Sequence, residues 1–85
     1  MTKKPLARCP CCGCRTKAKP CDDEICPVCF WQDDGQDDLT ADEVWGGPND
    51  ELSLSQARLN FAKFGASSEA WKWRVRPPNA DELDT

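Results

Sequence analysis

Seven cysteines carry most of the chemistry this 85-residue chain can offer, and four of them fall in two pairs at the spacing that grips a metal ion. The first pair lies in Cys9-Pro10-Cys11-Cys12-Gly13 and the second in Cys26-Pro27-Val28-Cys29, with thirteen residues between Cys12 and Cys26. Two residues between thiolates let the backbone wrap one side of the ion so that the following amides point at sulfur, and Gly13 permits the left-handed turn this needs. Two such knuckles close a tetrahedron, so Cys9, Cys12, Cys26 and Cys29 are the expected ligands of one structural zinc ion. The chain has no histidine. That excludes nitrogen ligation by imidazole and leaves a soft all-thiolate site, which favours zinc or iron over calcium or magnesium. Four thiolates leave no position for water or substrate, and no nucleophile and base stand at a motif spacing elsewhere, so no enzyme is expected.

Other readings of the same residues are weaker. A rubredoxin-like iron site and electron carrier would use the same ligands, but such chains separate their knuckles by a longer segment and carry glycine after both. Here Phe30 stands where the second glycine is usual, so the second knuckle is expected to be strained or differently closed. Cys-Pro-x-Cys also occurs in glutaredoxins, whose reactive thiol needs a βαβ unit that nothing here predicts. Cys11, Cys14 and Cys21 remain open: neighbours of the site with no role of their own, or a Cys14–Cys21 pair on oxidation, or Cys11 exchanging with Cys9 or Cys12 as ligand.

The elements that must position these residues are few. A chain this short buries too little apolar surface to fold comfortably without a staple. The sequence starts with no apolar run and contains none of membrane-spanning length, so no signal peptide, no membrane association and a cytoplasmic location are expected, where reduced thiols favour metal over disulfides. The expected fold is a small α+β metal-stapled domain: a zinc ribbon hairpin with one packed helix and a short C-terminal strand. The hairpin is expected from residues 15 to 19 and 24 to 25. Ser53 with Gln56 matches a capping box, Gly65 suits a left-handed cap, and Leu54, Ala57, Phe61 and Phe64 share one face, so a helix is expected from Ser53 to Phe64 with Leu59 off its stripe. Its expected partners are Phe30, Trp31 and Trp45 before it and Trp71, Trp73 and Val75 after it, where alternation with Lys72, Arg74 and Arg76 predicts an edge strand. The domain limits read as a basic tail over 1–8, one domain over 9–76 and an acidic tail over 77–85.

Charge is sharply partitioned. Residues 1 to 21 carry six Lys or Arg and no acid, whereas residues 22 to 51 carry eleven Asp or Glu and no base. Asp33-Asp34-Gly35-Gln36-Asp37-Asp38 lacks the alternating carboxylates and closing Glu of an EF-hand, so calcium is not expected there. A field of this sign repels nucleic acid and attracts a cationic protein surface. A protein partner with a basic surface is therefore expected. Against it stands a nucleic-acid-binding ribbon using Lys3, Lys4, Arg8, Arg15, Lys17 and Lys19. The oligomeric state is not set by any of these features.

These residues resemble the bacterial cysteine-rich CPCC family of small proteins. The resemblance runs from Cys9 to about Pro78, through Cys9-Pro10-Cys11-Cys12-Gly13, Ile25-Cys26-Pro27-Val28-Cys29-Phe30-Trp31, the Asp-Asp-Gly at 33 to 35, Gly47-Pro48-Asn49, the Ser-Leu and Ala-Arg of the helix, and Phe64-Gly65-Ala66. Cys14, where an aromatic is usual, and Cys21 depart from it. The resemblance implies a zinc-ribbon-like module, and similar proteins are suspected of acting as immunity proteins against toxins. It thus adds a toxin to the candidate partners.

Overall fold

The computed structural model describes residues 6 to 17 and 23 to 83. Its organising feature is a repeated knuckle. In the first, the Cys9 N–H donates to the Cys14 carbonyl at 2.8 Å and the Gly13 N–H to the Cys9 carbonyl at 2.9 Å. In the second, the Cys26 N–H donates to the Trp31 carbonyl at 2.9 Å and the Phe30 N–H to the Cys26 carbonyl at 2.8 Å. The register is the same, so Gly13 and Phe30 occupy equivalent positions, and both are left-handed, at φ 77° and 72°. The strain expected at Phe30 is present, since a side chain in this region costs roughly 1–2 kcal/mol.

Each knuckle is pinned at its base by a short antiparallel pairing. Around the first, β1 (Ala7–Arg8) pairs with β2 (Arg15–Lys17), Ala7 opposite Lys17 and Arg8 opposite Arg15 with an irregularity between. Around the second, Ile25 bridges Gln32. The expected ribbon hairpin is corrected accordingly: β2 pairs backwards across its own knuckle, because the Cys9 to Cys14 closure delivers residues 7 and 8 to its edge. Residues 18 and 19 of that expected strand lie outside the described residues. On the other side, the Lys17 ammonium reaches the Glu24 carbonyl at 2.6 Å.

The helix α1 (Leu54–Phe64) forms where expected. Ser53 caps it by accepting from the Gln56 N–H at 3.0 Å, and Gly65 ends it at φ 79° with its N–H on the Phe61 carbonyl. The capping box is only half formed, because the Gln56 side chain turns away to Asn60. Leu54 and Ala57 are fully buried against the cysteines, Val28, Trp31 and Ala41, with Phe61 packed alongside, while Leu59 is exposed. Burying a side chain such as Leu54 contributes about 1.5–3 kcal/mol, so α1 covers the metal-side core rather than a separate one.

The chain after α1 departs from expectation. In place of an edge strand, Glu69–Trp71 form a 3-10 turn capped by Ser68, and the Arg74 N–H closes a turn on the Trp71 carbonyl. Among the described residues no neighbouring strand edge is offered to it, and alternation alone cannot hold an extended segment. Trp73 is therefore 86% exposed and not a partner of α1, and Trp45 is 46% exposed. Beyond this core lie β1 at one end and the single turn α2 (Ala80–Leu83) at the other. Glu82 of α2 is buried and holds the Arg76 guanidinium by two bonds of 2.8 and 2.7 Å. With a further bond from the Asn79 N–H, this pulls the Glu82 carboxyl down to about 2. No helix among the described residues is long and apolar enough to cross a membrane.

Candidate metal centre

The two knuckles bring Cys9, Cys12, Cys26 and Cys29 together with all four sulfurs within 4.8 Å of one another. Cys9 Sγ lies 3.6 Å from Cys29 Sγ, and Cys12 Sγ lies 3.7 Å from Cys26 Sγ. Four sulfurs at ~2.3 Å from a central ion form a tetrahedron with edges of about 3.8 Å. The observed spacings match that edge and are far longer than a disulfide, and all four cysteines are free thiols. The donor set and its geometry therefore fit a tetrahedral metal ion. The four side chains would hold it, and the ion would supply positive charge at the centre of the core. Three of the ligands are buried and Cys12 is partly exposed.

Electrostatics within the cluster show why a cation belongs there. Cys26 is pushed far below the ordinary thiol range, chiefly by hydrogen bonds from Cys12 and then Cys29 and Cys9, with Thr16 adding another. Cys29 and Cys12 move strongly the other way, Cys29 first through Cys11 and then Cys12, and Cys12 first through Cys26. Cys9 is lowered as well, first through Cys12, so two thiolates are favoured only while Cys12 and Cys29 keep their protons, and four together would repel. A divalent ion inverts that balance and allows all four to ionise.

Supporting contacts orient the ligands. Thr16 of β2 places its hydroxyl 3.1 Å from Cys26 Sγ, and the Val28 N–H donates to the same sulfur at 3.4 Å. The carbonyls of Pro10 and Pro27, equivalent in the two knuckles, are both taken from outside: Pro10 by the Arg58 side chain at 2.9 Å and Pro27 by the Arg76 N–H at 3.2 Å. Arg58 also holds Asp38 at 2.7 Å, so one side chain ties α1, the first knuckle and the acidic loop together. Neither Thr16 nor Arg58 carries a sequence signal for this role, because their partners are set by folding and not by spacing.

The remaining cysteines take different places. Cys11 is buried outside the four-sulfur cluster. Cys14 is buried with its sulfur 4.0 Å from the Cys12 carbonyl, and burial pushes its thiol up. Cys21 lies outside the described residues.

The model of cysteine-rich CPCC proteins matches residues 7–82, which spans both knuckles, the acidic loop and α1. The chain belongs to the cysteine-rich CPCC family. No curated protein matches it. For this CPCC protein the match covers the described fold from β1 to α2.

Of the basic residues considered for nucleic acid, Arg8 and Arg15 stand opposite each other across the β1–β2 pair. Lys17 is buried, at 1% exposure, and the Arg8 and Arg15 guanidinium groups donate to the Gly13 and Leu6 carbonyls. Lys3, Lys4 and Lys19 lie outside the described residues.

Proposed function

We propose that this CPCC protein is a zinc-stabilised, non-enzymatic interaction module that binds a partner with a basic surface. The form we favour is an inhibitor of the immunity type, which occludes the basic active site of a toxin or enzyme. The observation that carries the reading is an acidic loop held in shape by its own bonds. The Gln36 amide donates to the Thr40 and Glu43 carbonyls, both at 2.8 Å. The Ser55 N–H of α1 donates to Ala41 at 2.8 Å, and Val44 bridges Ser53. On this frame Asp37, Asp38, Asp42 and Glu43 are exposed, interleaved with exposed Leu39, Val44 and Trp45. A purely solubilising segment needs no fixed shape, whereas fixed carboxylates around apolar anchors resemble the rim and centre of a binding face. A closed tetrathiolate site supports a structural role for the zinc.

The reading is tested by binding the zinc-loaded protein to a panel of basic nucleases and to poly-lysine across a salt series. Affinity should fall steeply as salt rises, and salt-insensitive binding counts against the proposal. The buried position of Lys17 weighs against the nucleic-acid alternative; a gel shift with mixed DNA and RNA at low salt would revive it. A red ferric protein in place of a colourless one would favour the electron carrier.

A further inference from the structure

Beside the second knuckle lies an open cavity of about 480 Å3. Ile25, Phe30, Leu52 and Trp71 give it an apolar lining, and Asp50 and Glu51 line it as well. Phe30 and Trp71 face each other there, ring centroids 4.7 Å apart at 31°. Three features set this place apart from an ordinary surface dimple. Phe30 holds the left-handed conformation that its counterpart Gly13 adopts without penalty, and a strained residue of this kind marks a position whose side chain is wanted. Ile25 is 47% exposed, which leaves an apolar residue facing solvent at the cavity. The carboxylates of Asp50 and Glu51 are exposed and have no ion-pair or hydrogen-bond partner among the described residues.

We infer that this cavity is the docking site for an arginine-bearing segment of the protein partner, with the guanidinium against the Phe30 and Trp71 rings and its charge met by Asp50 and Glu51. The inference rests on the reading of the protein as a module for basic partners, and it locates one contact of that surface. A planar cation suits the site because it stacks on aromatic faces and is more weakly hydrated than an ammonium. The cavity has room for such a side chain and an apolar neighbour against Ile25 and Leu52. A purely apolar occupant would leave the two carboxylates unanswered.

The test uses zinc-loaded protein at low salt, titrated with acetyl-Leu-Arg-Leu-amide and, in parallel, with the same peptide carrying Gln or Glu in place of Arg, followed by 1H–15N NMR. The arginine peptide should shift the Trp71 indole and the Ile25 and Phe30 amides in a saturable way. The Gln peptide and the Asp50→Asn, Glu51→Gln double variant should each bind at least about ten-fold more weakly. Both substitutions are at exposed positions and nearly isosteric, so the fold is kept, and unchanged dispersion in the free spectrum verifies it. Equal binding of the Gln peptide, or concentration-dependent shifts of the same signals without peptide, which mean a second copy fills the cavity, would overturn the inference. Shifts confined to residues 33 to 43 would overturn it while leaving the broader acidic-surface reading intact. Silence at both the loop and the cavity, together with no binding to the basic nucleases, would remove both.

Discussion

The two knuckles have the same hydrogen-bond register and opposite surroundings. The first carries Gly13 at its left-handed position, where an added Cβ would meet nothing within 4 Å. The second carries Phe30 at the same place, in a strained conformation and stacked on Trp71. The first is tied down by side chains, from Arg8 to Gly13 and from Arg58 to Pro10, while the second is tied through backbone, from Ser67 to Cys29 and from Arg76 to Pro27. The comparison teaches that metal geometry requires the turn but not the glycine. A residue that gains enough elsewhere can occupy a conformation that costs it roughly 1–2 kcal/mol.

The largest expected effect treats the knuckles as equal. Cys9→Ser and Cys26→Ser should each abolish metal retention and folded circular dichroism, because apparent zinc affinities of roughly 10–16 kcal/mol in small peptides become folding energy. Native mass spectrometry after chelation of the unaltered chain should show the same collapse. If one variant keeps its ion and its fold, the two halves are not equivalent.

The next effect separates them. Gly13→Ala should destabilise by about 1–2 kcal/mol through backbone strain alone, since the space is open. Phe30→Gly should come out within about 1 kcal/mol of neutral, because relief of strain offsets a lost aromatic pair worth ~0.5–1.5 kcal/mol and a more flexible unfolded chain. Thermal melts of the zinc-loaded variants measure both, and equal losses would mean that Phe30 is not strained in solution.

A third change acts only on the second knuckle. Thr16→Val removes the hydroxyl at 3.1 Å from Cys26 Sγ and should weaken zinc roughly 10-fold in chelator competition, the usual scale for a supporting contact. An unchanged affinity would show that Thr16 is a bystander.

The smallest effect concerns the clasp that follows the Pro27 tie. The Glu82 carboxyl lies at about 2 in the folded chain against an ordinary 4.5, a depressed value, so its contribution is fully present above about 4.5 and disappears as pH falls toward about 2. Glu82→Gln should therefore lower the melting temperature slightly at pH 7. Its difference from the unaltered chain should shrink across that acid window. A difference that is constant with pH would place the effect in packing and not in charge.

Much of the site was legible in the sequence because ligand identity and spacing within a knuckle are local. Cys9, Cys12, Cys26 and Cys29, the left-handed turn at Gly13 and the strain at Phe30 follow from residue types a few positions apart. The helix was legible for the same reason, since Ser53, Gly65 and the Leu54 to Phe64 stripe are all local signals. Strand pairing was not: β2 joins β1 rather than residues 24 and 25, because pairing depends on which edge the folded knuckle delivers. The Trp71 to Arg76 alternation misled for the same reason, having no edge to join among the described residues. Sequence alone indicated the four cysteines that cluster, the turn chemistry, the helix and the sign of the charge. Only the tertiary structure decided which thiols stand outside the cluster, that Lys17 is buried, and that Phe30 meets Trp71 beside Asp50 and Glu51. Contacts across long stretches of chain are chosen by packing around the metal, and no local spacing encodes them.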